Sequence, residues 1–188
     1  MKKTMWILIA AFLVTLCVTP AFAYTGSSPV KAQTPIIITT AGQGPGGEFV
    51  DAMIKRSRIT PSRLAAKAGV SFLTDQKTLI VALSSSLKGM GSAGVSINQE
   101  LDRINGLITQ AKKMGMTVIG CHIEGEARRG GYDEDIINQI APKMNYLVVR
   151  NDGNTDGIFN RIANQNKIPI TFIEKTSELG EIFTEIFN

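Results

Sequence analysis

Four short segments gather the residue types that bind or transform polar molecules: Thr40 to Gly44, Ser84 to Gly89, His122 to Gly131 and Asn151 to Gly157. The third is the richest, with the chain's single histidine, His122, followed by Glu124, Glu126, Arg128 and Arg129. A guanidinium grips carboxylate or phosphate through paired hydrogen bonds. Arg128 or Arg129, helped by Lys88, is therefore a candidate anion clamp to which His122 adds a hydrogen bond. The competing reading pairs Glu124 or Glu126 with an arginine at the surface, where an ion pair contributes little. Ala41, Gly42 and Gln43 in the first segment, and Ser84, Ser85 and Ser86 in the second, supply amides and hydroxyls of the kind that hold an anion at helix starts. Asn154 offers a polar contact from the fourth. Asp152 and Asp156 suit the capping of a turn and a helix better than metal ligation.

Catalytic readings find partial support. Ser84, Ser85 or Ser86 as nucleophile, His122 as base and Glu126 as orienter are the right residue types for acyl transfer. The nucleophile elbow G-x-S-x-G is absent, however. Gly42, Gly44 and Gly47 reproduce the G-x-G-x-x-G spacing of a dinucleotide turn. The acid that should bind ribose about 20 residues later is missing from Thr60-Pro61-Ser62-Arg63-Leu64, and Pro45 removes an amide from the turn. Neither a cofactor nor a metal is expected.

Elements that could position these loops are visible. Apolar runs at Ile36 to Thr39, Thr78 to Leu83, Thr117 to Ile123, Tyr146 to Val149 and Ile170 to Ile173 are continuous, as in strands covered on both faces. Between them, Ile97, Leu101, Ile104, Ile108 and Ala111 form a helical stripe. Ser96 and Gln99 fit a capping box, Lys112 and Lys113 the negative helix end, and Gly115 the stop. Further helices are expected over Asp133 to Ile140, around Ile158 to Ala163 and around Leu179 to Ile186. Another begins with Gly44 as N-cap and Pro45 as first residue, packing Phe49, Val50, Met53 and Ile54 inward. Ser57 to Gln76 has weak periodicity, with a short edge strand near Arg63 to Ala65 and a helical turn around Val70 to Thr74. The alternation predicts a three-layer, Rossmann-like or flavodoxin-like α/β fold: an open, mainly parallel sheet of five or six strands with helices on both faces. Ligands bind such sheets beyond the carboxyl ends of the strands, where all four polar segments fall.

The chain of 188 residues opens with Lys2 and Lys3, an apolar stretch from Met5 to Val18, and Ala21-Phe22-Ala23. That is the pattern of a secretory signal peptide over residues 1–23, too short to span a membrane stably. A flexible lead-in at 24–34 and one domain at 35–188 are expected to follow, secreted to the periplasm or beyond. Cleavage removes Lys2 and Lys3 but no acid, leaving 18 basic against 16 acidic residues, a charge of +2. Such a balance gives no reason to expect nucleic acid as partner. Cys121 is then the one remaining cysteine, expected as a small buried hydrophobe.

The stretches KTLIVALSSSLKGMGSAGVSINQEL, HIEGEARRG and NDGNTDGIFNRIANQNKIPIT resemble a family of exported bacterial and archaeal domains of unknown function, from about Pro35 to the C-terminus. The resemblance implies one compact exported domain. It also implies that Ser85, Ser86, Lys88, His122, Glu126, Arg128, Arg129, Asn154 and Asp156 belong to the family pattern. The family's first loop resembles Ala-Gly-Gln followed by a small residue, which points to Ala41-Gly42-Gln43 and makes Gly44, Gly46 and Gly47 local variation. The leading expectation is an exported protein binding a small polar or anionic molecule. The alternatives are a serine/histidine hydrolase or transferase and a non-catalytic module for an envelope protein partner.

Overall fold

A computed structural model describes residues 24–188; the expected signal peptide lies outside the described residues. Seven strands form one sheet in the order β1-β7-β6-β5-β4-β2-β3. They are β1 (Tyr24–Gly26), β2 (Ile36–Ala41), β3 (Ser62–Leu64), β4 (Thr78–Leu83), β5 (Thr117–His122), β6 (Tyr146–Arg150) and β7 (Ile170–Ile173). All neighbours pair in parallel except β1, which runs antiparallel to β7. The helices are α1 (Gly46–Arg56), α2 (Leu87–Ala93), α3 (Ile97–Lys113), α4 (Tyr132–Ile140), α5 (Ile158–Asn166) and α6 (Leu179–Phe187).

The continuous apolar runs are explained by two cores, one on each side of the sheet. Ile37, Leu79, Val81, Val118, Leu147 and Val149 point toward α3, α4 and α5. Their alternates Ile36, Ile38, Ile80, Ile119 and Val148 point toward α1 and α6. Burying both faces leaves no polar positions for an alternating pattern. Cys121 lies in the second core, where burial pushes its thiol pKa up. The α3 capping box forms as its sequence indicates, Ser96 accepting from the Gln99 amide and Gln99 from the Ser96 amide. The weak segment resolves into the three-residue β3 and a 3-10 turn at Val70–Phe72.

The structure departs from expectation in four places. The sheet has seven strands rather than five or six, because the expected flexible lead-in supplies β1: Tyr24, Thr25 and Gly26 pair with Ile173, Phe172 and Thr171. Val30 and Ala32 then pack on the second core. Secondly, α1 is capped by Pro45 and starts at Gly46, rather than at Gly44 and Pro45. Thirdly, Val50 and Ile54 are buried as expected, but Phe49 is 48% exposed. Lastly, α2 follows directly on Ser86, whose hydroxyl accepts from the Gly89 amide. Its composition, with Gly89 and Gly91, reads as loop. Gly89 is required there because a Cβ would stand 2.2 Å from the Gln43 carbonyl oxygen.

From β2 the chain passes to β3 on one side and then to β4 on the other, so the winding reverses between β2 and β4. The cleft at such a switch point is where open α/β sheets hold ligands. Each cross-strand pair is worth roughly 0.2–1 kcal/mol, so a chain that begins at Pro29 is expected to be less stable to unfolding by about 1–3 kcal/mol than one that begins at Tyr24. Urea denaturation checks this, and a flexible lead-in would leave the midpoint unmoved.

Candidate functional site

Ala41 and Leu83 end the two switch-point strands, and the loops beyond them lie against each other. The Ser86 amide donates to the Gly42 carbonyl at 2.8 Å, and Gln43 bridges to Ser85. Gly42 has φ +99°, and a Cβ on it would meet the Ser85 Cα at 2.9 Å, so the contact depends on glycine.

Two buried carboxylates hold these loops. Glu100 is only 2% exposed, although it begins the face of α3 continued by Ile104, Leu107 and Ala111. It accepts from the Gly42 amide (3.0 Å), the Gln43 side-chain amide (2.8 Å) and Arg103 Nε and Nη2 (3.0 and 2.7 Å). Arg103 in turn donates to the carbonyls of Thr40 and Ala68. Burial opposes ionisation of Glu100, but the Arg103 hydrogen bonds and charge, with the two amides, outweigh it and lower its pKa. Asp133 plays the matching part on α4: it shares a helical face with Ile136, Ile137 and Ile140, and its Oδ1 accepts the Ser85 amide.

The loop after β5 is organised differently from expectation. His122 is 1% exposed, with Nδ1 2.9 Å from the Leu83 carbonyl and Nε2 3.2 Å from that of Gly125. Its ring packs 5.0 Å from that of Phe159. The expected ligand contact from His122 is therefore corrected: both nitrogens face main-chain oxygens, and the ring ties β4 to the following loop. Burial lowers its pKa, against the pull of the two carbonyls and Asp133. Arg129 is likewise engaged, donating to Glu134 at 2.7 Å, to Asp156 at 2.8 Å and to the Gly153 carbonyl. These hydrogen bonds bring the Asp156 carboxyl down to about 2. Asn154 accepts from the Phe159 amide and Asp156 from that of Ile158, so both cap the start of α5 instead of reaching toward a ligand.

Arg128 is in the other condition. Its Nε donates to Glu124 Oε1 at 2.9 Å and its Nη1 to the Ser85 carbonyl at 3.0 Å, which realises the alternative Glu124–arginine pair. Nη2 has no partner among the described residues, and the same is true of the exposed Lys88 ammonium. Two hollows adjoin at Arg128. The larger, about 530 Å³, includes Ser85, Leu87, Tyr132 and Asp133 in its lining; the smaller, about 370 Å³, includes Gln43, Glu48, Ser86 and Lys88. Below them, Ser84 Oγ and Glu124 Oε2 are enclosed without a partner, within 3.1 Å and 2.8 Å of where a Cβ on Gly46 would sit. Ala41 is buried at the end of β2 and Glu126 is exposed on its 3-10 turn. No serine hydroxyl hydrogen-bonds His122 among the described residues, so Ser84–Ser86, His122 and Glu126 do not assemble as a catalytic set. Among those residues, too, no group of three or more His, Cys, Asp or Glu is placed to hold a metal ion.

Sequence reasoning missed Glu100, Arg103 and Asp133. Each acid stands at the head of an apolar helical stripe, and that is the signal by which they are recognisable.

A family model described as a domain of unknown function (DUF6305) matches residues 33–187. The chain belongs to this family. The DUF6305 match covers nearly the whole stretch on which the sequence resemblance rests. No curated protein matches the chain. Among solved structures, this DUF6305 domain is similar to TesA at 10% identity, covering 72% of this chain and 77% of that one with a TM-score of 0.34. It is also similar to a GDSL-like lipase from Bacteroides thetaiotaomicron at 10% identity, covering 80% and 83% with a TM-score of 0.36.

Glu100→Gln leaves Arg103 uncompensated and is expected to cost about 3 kcal/mol in urea denaturation. Because the native pKa of Glu100 is lowered, its contribution is complete above the ordinary carboxylate value of 4.5 and is lost as pH falls through the native value; the variant lacks that part of the acid slope. His122 adds a second window. With a native pKa below the ordinary 6.5, the unfolded chain takes up a proton first, so stability falls as pH drops through that value. In His122→Asn, thermal unfolding between pH 7 and 5 is expected to lack this component.

Proposed function

We propose that this chain is an exported binding protein for a small polar or anionic molecule, held beyond the carboxyl ends of β2 and β4. The observation that carries the reading is the division of the cations around this edge. Arg103 and Arg129 are spent on Glu100 and on Glu134 and Asp156, while Arg150 gives Nε and Nη2 to Asp152 and lines a separate hollow with Phe49 and Ile123. Arg128 Nη2 and Lys88 Nζ are unspent and face adjoining hollows. An anion reaching either group meets a charge-assisted donor that needs no internal bond broken first. The amides of the Gly42–Gly44 and Ser84–Ser86 loops, held by Glu100 and Asp133, supply fixed dipoles beside them. Export rests on the pattern of residues 1–23.

The serine/histidine reading gains no support from the buried, carbonyl-bound His122. An envelope protein partner would have the exposed Val70 and Phe72 to meet, but the Arg63 guanidinium already lies 5.3 Å from the centroid of the Phe72 ring.

A thermal-shift panel of small carboxylates and phosphates, followed by calorimetry on any hit, tests the proposal. Losing one charge-assisted hydrogen bond costs about 1.5–3 kcal/mol, so Arg128→Gln or Lys88→Ala is expected to weaken binding about tenfold or more, with affinity falling as salt rises. Unchanged affinity in both variants overturns the placement.

A further inference from the structure

The larger hollow has a negative wall as well as a positive one. The Ser85 N–H donates to Asp133 Oδ1, while Arg128 Nη1 donates to the Ser85 C=O. Opposite charges thus hang from the two polar groups of a single residue and line the same hollow of about 530 Å³. Each keeps a free valence: Arg128 Nη2 has no partner among the described residues, and Asp133 Oδ2 has none and is not enclosed. Gly130 and Gly131 line the same hollow, and a Cβ on either would meet nothing within 4 Å, so that side stands open. The rest of the mouth is apolar. Leu87 is 73% exposed and Tyr132 is 41% exposed, both lining the hollow.

We infer that this hollow takes a zwitterionic α-amino acid with an apolar side chain. Its carboxylate meets Arg128 Nη2, its ammonium meets Asp133 Oδ2, and its side chain lies between Leu87 and Tyr132. The inference rests on the anion-binding reading above and narrows it. A plain carboxylate pairs with Arg128 but is repelled by Asp133, and a plain amine suffers the reverse, so the paired walls select a molecule bearing both charged groups on one carbon. The hollow falls within the usual range for small-molecule sites, roughly 300–1,000 Å³, and has room for a large side chain. Contact with that side chain would remove Leu87 and Tyr132 from water, where they otherwise stand exposed at the mouth.

The test is calorimetry of the mature chain with L-phenylalanine, 3-phenylpropanoate (the same molecule without its amino group) and phenethylamine (without its carboxylate), each to millimolar concentration. L-Phenylalanine is expected to bind at least tenfold more tightly than either analogue. Asp133→Asn keeps an acceptor for the Ser85 amide, and circular dichroism checks that the variant is folded. It is expected to weaken L-phenylalanine at least tenfold and to remove its preference over 3-phenylpropanoate. Equal binding of L-phenylalanine and 3-phenylpropanoate, with Asp133→Asn without effect, overturns the amino-acid inference and leaves the anion reading standing. Absence of binding by all three compounds overturns the amino-acid inference, while the carboxylate and phosphate panel decides the anion reading separately.

Discussion

The Glu100 carboxylate is buried on the sheet-facing side of α3, where an uncompensated charge would cost several kcal/mol. Its compensation comes from the Gly42 amide and the Gln43 side chain, far away in sequence, and from the Arg103 guanidinium one turn along the same helix, itself fixed on the Thr40 and Ala68 carbonyls. The carboxylate therefore dictates the path of the loop after β2, and Asp133 dictates the loop after β4 through the Ser85 amide. Apolar packing fixes where the helices lie, and the two acids fix how the switch-point edge is shaped.

The remaining polar groups are sorted by that arrangement. With the first two loops anchored from α3 and α4, the segment after β5 is held by His122 between Leu83 and Gly125, and the segment after β6 by Arg129 across Glu134, Asp156 and Gly153. These side chains are occupied in keeping four loops together. Arg128 and Lys88 stand at the rim with donors unpartnered among the described residues, and under the proposed function a rim of anchored amides and free cations would give a small anion fixed partners without reorganisation. The functional reading depends on this division more than on the number of polar residues present.

Much of the architecture is legible in the sequence because a parallel sheet covered on both faces needs unbroken apolar strands; Thr78 to Leu83 and Ile170 to Ile173 coincide with β4 and β7. Legibility fails where a segment's role is set by distant partners. Tyr24 to Gly26 is polar and short, and it becomes β1 because β7 offers a free edge. Leu87 to Ala93 is glycine-rich because Gly89 must pass the Gln43 carbonyl, so its helical character is hidden. His122 and Arg129 look functional by type, yet their partners are carbonyls and acids brought in by folding. The opposite error hides Glu100 and Asp133, which pass for solvated helix residues until their place in an apolar stripe is noticed. A charge in such a stripe cannot stay buried without a partner, which makes it a sequence-level sign of a fixed internal contact.

Of the three arginines that bind the loops of this edge together, Arg103, Arg128 and Arg129, only Arg128 leaves a guanidinium nitrogen unpartnered among the described residues. Nitrogen-15 NMR of the arginine side chains during titration with L-phenylalanine measures this directly. The Arg128 Nη resonances are expected to shift and their rotation to slow while those of Arg103 and Arg129 stay fixed. Shifts confined to Arg129, or an Arg128 signal unmoved at saturation by a ligand that demonstrably binds, would contradict it.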